Sequence, residues 1–147
     1  MRTALALSLL LLPTLGFAQE AKKFNAKELA KDFEAVGVYA PKGVVVVENE
    51  VMVNSEPARD FVEAVYVVRA DLKKVLEFYK TRLTLEPKKQ GDDELGTQKY
   101  LFAPKPKVGE KRIYKVTVAQ AEGGSGTMIT LMHRKAESDE IVTGSDD

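Results

Sequence analysis

The sequence predicts an α+β domain: an antiparallel sheet of about five strands, with one main amphipathic helix packed on one face and a short helix ahead of it. Three observations carry this. Phe61 to Val68, FVEAVYVV, is an apolar run rich in β-branched residues, as a strand requires. Directly after it, Leu72, Val75, Leu76, Tyr79 and Leu83 recur at the i, i+3, i+4, i+7, i+11 spacing that puts them on one side of an α-helix. Three further strand-like segments follow, each bounded by Pro or Gly clusters.

Ahead of the domain, Met1 to Ala18 has the pattern of a secretory signal peptide. Arg2 supplies a positive start, Ala4 to Leu12 an apolar run, Pro13 a break, and Gly16-Phe17-Ala18 the small residues a signal peptidase inspects. Cleavage is expected after Ala18, near the start of the mature chain at Gln19. The apolar run is shorter than the ~20 residues of a membrane span. The chain has no cysteine, so a thiol-linked lipid anchor is excluded, along with disulfides, zinc–thiolate sites and thiol redox chemistry. The expected location is periplasmic or secreted, soluble, with no membrane insertion after signal removal. Removing 18 residues from 147 leaves 129, enough for one core. Lys+Arg and Asp+Glu balance at 22 each, which argues against a dedicated nucleic-acid binder.

Taken in order, Gln19 to Lys23 reads as a flexible lead-in to a domain spanning 19–135. Asn25 to Val36 reads as a short helix: Asn25 and Glu28 have capping-box spacing, Leu29, Phe33 and Val36 share a face, and Gly37 is placed to end it. Val38 to Gly43 is a turn into Val44–Val53, a valine-rich strand interrupted at Glu48-Asn49-Glu50 by a bulge or a break. Asn54 to Asp60 turns into the Phe61 strand. Asp71 stands where a carboxylate can cap the main helix. Thr84 to Glu94 is a charged loop, then strands are expected at Thr97–Ala103, Lys111–Ala121 and Thr127–Arg134, the last two joined by Glu122 to Gly126. The tail 136–147 is acidic and nearly without apolar residues, and is expected to be disordered.

The pieces VYAPKG, VLEFYKTRL and GTMITLMHR, in that order, make the stretch from Val36 to Arg134 resemble an α+β domain of exported bacterial proteins with no assigned activity. The resemblance implies a fold and an exported location. It brings no activity, cofactor or site residue.

No residue set forms a recognisable catalytic site. His133 is the only histidine, with no nucleophile or orienting carboxylate near it in sequence. Met128 and Met132 invite a copper site with His133, but the two methionines lie about 13 Å apart along a strand and His133 points to its other face. Asp92-Asp93-Glu94 and the tail acids lack the alternating ligands of a calcium loop. Glu48 and Glu50 share a strand face, and a polar strand edge explains them. Gly123-Gly124-Ser125-Gly126 lacks the Lys-Ser/Thr continuation of a phosphate loop. No cofactor or metal is expected.

One surface rises above this background. Period-two phasing puts Tyr100, Phe102, Tyr114, Val116, Val118, Ile129 and Leu131 toward the helix. Lys99, Leu101, Lys115, Thr117, Met128, Thr130, Met132 and Arg134 then point away, with Val65, Val67 and Arg69 joining them. The stretch from Arg69 to Lys115 holds 13 Lys/Arg against 7 Asp/Glu, whereas the tail from Ala136 holds five acids and no base. Arg69, Lys99, Lys115 and Arg134 are therefore the candidate binding residues for an anionic ligand or envelope protein, the alternative being that the acidic tail directly after Arg134 folds back to cover them at little loop-closure cost. The expected function is a non-catalytic exported binding or assembly module of the bacterial cell envelope. The alternative is a small exported hydrolase whose site is scattered in sequence.

Overall fold

The computed structural model describes residues 20–22, 25–41, 46–54, 61–90, 98–124 and 126–144, the strands at 20–22 and 46–54 by their backbone. In chain order the elements are β1 (Glu20–Lys22), α1 (Ala26–Asp32), β2 (Val46–Asn54), β3 (Phe61–Val68), α2 (Leu72–Leu83), β4 (Lys88–Gln90), β5 (Lys99–Phe102), β6 (Arg112–Gln120) and β7 (Thr127–Lys135). The protein is thus a mixed α+β fold. All neighbouring strands pair antiparallel, in the spatial order β1-β2-β3-β7-β6-β5-β4. The last long strand lies at the centre, between β3 and β6.

The sheet has seven strands where about five were expected. The two additions are the short edges. Gln19–Lys23 contains β1 instead of being only a lead-in, and the Thr84–Glu94 loop contains β4. Neither EAK nor KKQ carries an apolar alternation, and each is placed by backbone pairing to one neighbour. In β2 the register shifts between Val46 and Glu48, the irregularity of a bulge.

Burial alternates along the strands. Ala64, Tyr66 and Val68 of β3, Val116 and Val118 of β6, and Ile129 and Leu131 of β7 are enclosed, while their neighbours on the other face are half-buried except Ala119, which is buried. The enclosed set forms one core with Val75 and Tyr79 of α2 and with Leu29, Phe33 and Val36 of α1 and the turn after it. Helix α1 starts at Asn25, whose Oδ1 accepts from the Lys27 and Glu28 N–H groups at 3.2 and 3.4 Å. It stops at Asp32, short of the expected Val36. The Gly37 N–H donates to the Phe33 carbonyl at 2.7 Å, and φ of +84° at Gly37 closes the turn. Arg82 of α2 then donates to the Glu34 carbonyl at 2.9 Å.

Helix α2 differs from expectation in two details. Asp71 has the extended backbone of a cap, yet its side chain makes no capping hydrogen bond. The first-turn N–H groups of Lys74 and Val75 are met by the Asp71 carbonyl instead, at 3.0 and 3.3 Å. Val75 and Tyr79 are the enclosed residues, while Leu72, Leu76, Phe78 and Leu83 pack half-buried around them. Three tyrosines lock this helix to the sheet. The Tyr39 N–H is shared by the Tyr66 and Tyr79 hydroxyls at 3.1 and 3.3 Å, and the Tyr79 hydroxyl donates to the Gly37 carbonyl at 3.1 Å.

The tail does not follow its composition over 136–144. Ala136 is buried and donates its N–H to the Lys111 carbonyl at 2.9 Å, a turn runs through Glu137–Glu140, and the Gly109 N–H donates to the Val142 carbonyl at 2.9 Å. Local charge density predicts disorder because it counts only neighbours in sequence, whereas these contacts are to the start of β6 and the turn before it. The signal-peptide stretch, the 55–60 part of the turn into β3, Asp92-Asp93-Glu94, Thr97, Ser125 and Asp146-Asp147 lie outside the described residues, as do the side chains of Glu48 and Glu50.

Candidate functional site

Strand register fixes the face opposite the helices. Along one row, Lys88 of β4 stands across from Leu101, Leu101 from Thr117, Thr117 from Thr130, and Thr130 from Val65. The next row toward the β6–β7 hairpin runs Lys99, Ala119, Met128, Val67. On the other side lie Lys115, Met132 and Glu63, and then Ile113, Arg134 and Phe61. Val65, Val67, Leu101, Met128 and Met132 are half-buried. The face is therefore mixed: apolar residues and two threonines in the middle, cations on the β4–β7 side, and Glu63 together with the register positions of Glu48 and Glu50 on the β2–β3 side.

Three of the four candidate residues stand on this face. Lys115 and Arg134 are diagonal neighbours across β6 and β7, within reach of one another's field. Lys99 is opposite Ala119, about 13 Å along β6 from Lys115. Arg69 does not join them. Strand β3 ends at Val68, the Ala70 N–H turns back onto the Val68 carbonyl at 2.9 Å, and the alternation that placed Arg69 stops there. Arg69 instead lines an open hollow of about 370 Å³ with Asp71, Leu72, Gln120, Gly124 and Gly126. Gly126 is required at that point, because a Cβ would collide with the Val68 carbonyl oxygen. Thr127 closes the same end by donating its hydroxyl to the Ala70 carbonyl at 2.8 Å.

Lys88 was missed in sequence, and Glu140 was named only as one charge of an acidic tail able to fold back over the basic face. Lys88 belongs to the face only because β4 pairs with β5, and no periodicity in its segment signals a strand. The two Glu140 carboxylate oxygens accept from both terminal nitrogens of Arg134 at 2.6 and 2.7 Å, the paired geometry guanidinium and carboxylate favour. Arg134 holds the Glu140 carboxyl down to about 2, with the Glu137 N–H at 2.9 Å assisting and the field of Lys115 adding a smaller pull.

His133 lies on the helix side of the sheet. It is 7% exposed, with its ring between Phe33 at 4.9 Å and Tyr114 at 5.4 Å. The Arg112 Nε–H donates to its Nδ1 at 2.8 Å. Guanidinium is only a donor, so Nδ1 presents its lone pair and is not offered to a substrate. Burial pushes the Tyr66 phenol up to about 12 and raises Tyr79 well above its ordinary value. Both hydroxyls are committed to holding the Gly37–Tyr39 segment. Among the described residues, no group of three or more His, Asp or Glu is placed to hold a metal ion, and no helix is long and apolar enough to cross a membrane. The chain matches no protein-family model, no curated protein and no solved structure.

Proposed function

We propose that this chain is a non-catalytic exported binding or assembly module of the bacterial cell envelope, holding an anionic partner on the open face of its sheet. One observation carries the reading: Leu101, Met128, Met132, Val65 and Val67 form a half-buried apolar strip on the face away from both helices, bordered by Lys88, Lys99, Lys115 and Arg134. The cations stand on the β4–β7 side of the strip, with Glu63 on the β3 side. Apolar surface next to a cationic side gives both area and steering for an oppositely charged partner.

The test uses a labelled polyglutamate peptide as probe. The protein is expected to retain it at low ionic strength and release it as the Debye length shrinks below about 8–10 Å. Reversing Lys99→Glu together with Lys115→Glu should abolish retention while the circular dichroism is unchanged. Reversing Lys73 and Lys74, exposed on α2, should leave it intact. Equal retention by the face and helix variants would reduce the lysines to a solvated surface. The exported part of the reading has its own check: N-terminal sequencing of secreted or periplasmic material should begin at Gln19, and material that begins at Met1 would sink it.

A further inference from the structure

The tail shows what chemistry the basic end of this face accepts. Strand β7 is pinned past its end by the Ala136 N–H on the Lys111 carbonyl, so the following residues leave the sheet from a fixed point. The Glu140 N–H then closes a turn on the Glu137 carbonyl at 3.0 Å, and a Glu140 carboxylate oxygen accepts from the Glu137 N–H at 2.9 Å. That turn delivers the carboxylate onto Arg134, whose side chain is on the open face in phase with Met132 and Met128. After Glu140 come Ile141, half-buried, and Val142, held by the Gly109 N–H. The occupant of Arg134 is thus a short acidic segment followed by two β-branched aliphatic residues.

The remainder of the face offers the same pairing of chemistries over a longer span. Lys115, next to Arg134, is half-buried beside Met132, and further along stand Leu101, Lys88 and Lys99. Among the described residues no carboxylate bridges Lys88, Lys99 or Lys115. The described part of the tail meets Arg134 and runs past the start of β6 to Gly109, and among the described residues no carboxylate reaches the lysines further along the strip.

We infer that Glu137–Gly144 is a tethered competitor, and that what it competes with is an acidic peptide segment of a partner protein, carrying aliphatic residues, that docks from Arg134 across Lys115 toward Leu101. This rests on the binding-face reading above and adds both the kind of partner and its control. A carboxylate in paired contact with the guanidinium, continued by aliphatic side chains, favours a peptide over a phosphate polymer or a lipid surface. A short tether holds its segment at an effective concentration on the order of millimolar. Where the tail segment itself binds the face with a dissociation constant of ~0.1 mM, a free peptide should bind the intact chain about tenfold more weakly than the uncovered one.

The experiment compares the intact chain, Glu140→Gln, a chain ending at Ala136, and that shortened chain with Arg134→Gln. The probe is a labelled synthetic peptide of sequence ESDEIVTG, with inorganic polyphosphate and vesicles containing phosphatidylglycerol run in parallel. The shortened chain should bind the peptide about tenfold more tightly than the intact chain, with Glu140→Gln between them. Arg134→Gln should remove the gain, and amide shifts on binding should centre on Met132, Arg134 and Lys115. Equal binding by the intact and shortened chains, or none by either, overturns the proposal. So does a polyphosphate or vesicle gain as large as the peptide's, which would make the tail a general anion shield. Should the shortened chain fail to fold, Glu140→Gln decides on the same criteria. A peptide gain on tail removal, combined with polyglutamate retention that ignores Lys99 and Lys115 reversal, would keep the tethered competitor and discard the wider binding face.

Discussion

At the scale of single residues, the buried hydroxyls of Tyr66 and Tyr79 matter more than the only histidine. Each accepts from the Tyr39 N–H, and Tyr79 also donates to the Gly37 carbonyl, so the segment between α1 and β2 has its backbone groups met inside the core. Tyr79→Phe removes one hydroxyl and leaves the Gly37 carbonyl short of a donor. The expected cost is about 1–3 kcal/mol, the penalty of an unmet buried polar group, in a denaturant titration. Tyr100→Phe, whose hydroxyl meets Gln98 Oε1 at an exposed site, should stay within about 0.5 kcal/mol. The phenols also set a limit in base. Folding raises Tyr66 to about 12 and raises Tyr79 from an unfolded value of 10.0, so the fold favours the neutral forms. The Tyr66 contribution is whole below pH 10 and is lost as pH rises through about 12, and the raised Tyr79 phenol adds a contribution of the same sign that is lost above pH 10. Phenolate absorbance from this pair should therefore grow together with loss of circular dichroism. Ionisation of both in a fully folded protein would contradict the hydrogen-bonded arrangement.

At the scale of elements, α2 tests how well helical spacing locates a core. Leu72, Val75, Leu76, Tyr79 and Leu83 do share the packed side, but Leu76 is off its centre and Val75 is fully enclosed. Val75→Ala should cost about 2 kcal/mol, the transfer of its methyls plus the cavity left behind. Leu76→Ala should cost less than about 2 kcal/mol, below the range of a fully buried leucine. A larger loss at Leu76 than at Val75 would show that the packing axis has been misplaced. Strands β3, β6 and β7 were legible for the same reason as the helix: each buries one face, and burial writes period two into sequence. The short edges β1 and β4 carry no apolar alternation and left no such mark. Phase also placed Lys99, Lys115 and Arg134 together, since register needs only alternation. It failed at Arg69 because the strand ends one residue earlier, and within an acidic tail able to fold back over the face it could not single out Glu140, because an ion pair six positions apart across a turn has no period. Asp71 shows the converse limit: a capping residue type marks the helix start without guaranteeing a side-chain bond.

At the scale of the whole molecule, strand order was the part sequence could not supply, and it has consequences for how the chain can be cut. Pairing of β3 with β7 joins Val68 to Thr127 at one end and Phe61 to Arg134 at the other, so the centre of the sheet waits for the last long strand. Without β7, the β1-β2-β3 and β6-β5-β4 groups have no shared edge, and Thr127, Ile129, Leu131 and His133 leave the interior together. Long-range pairing of this kind folds slowly, on the order of milliseconds to seconds, because loop closure precedes its reward. It would also keep an incomplete chain unfolded, which suits the export proposed for it. Edge and centre should then respond oppositely to deletion. A chain starting at Lys23, lacking β1, gives up three pairings at one edge of the sheet and is expected to keep a single cooperative unfolding transition. A chain ending at Gly126 is expected to show no cooperative transition and no slowly exchanging amides in β3 or β6. One ending at Ala136 keeps β7 and its bond to Lys111, and should recover both. Protected amides in β3 without β7 would mean that the β2–β3 pair stands alone, and that the central strand only completes a sheet already formed.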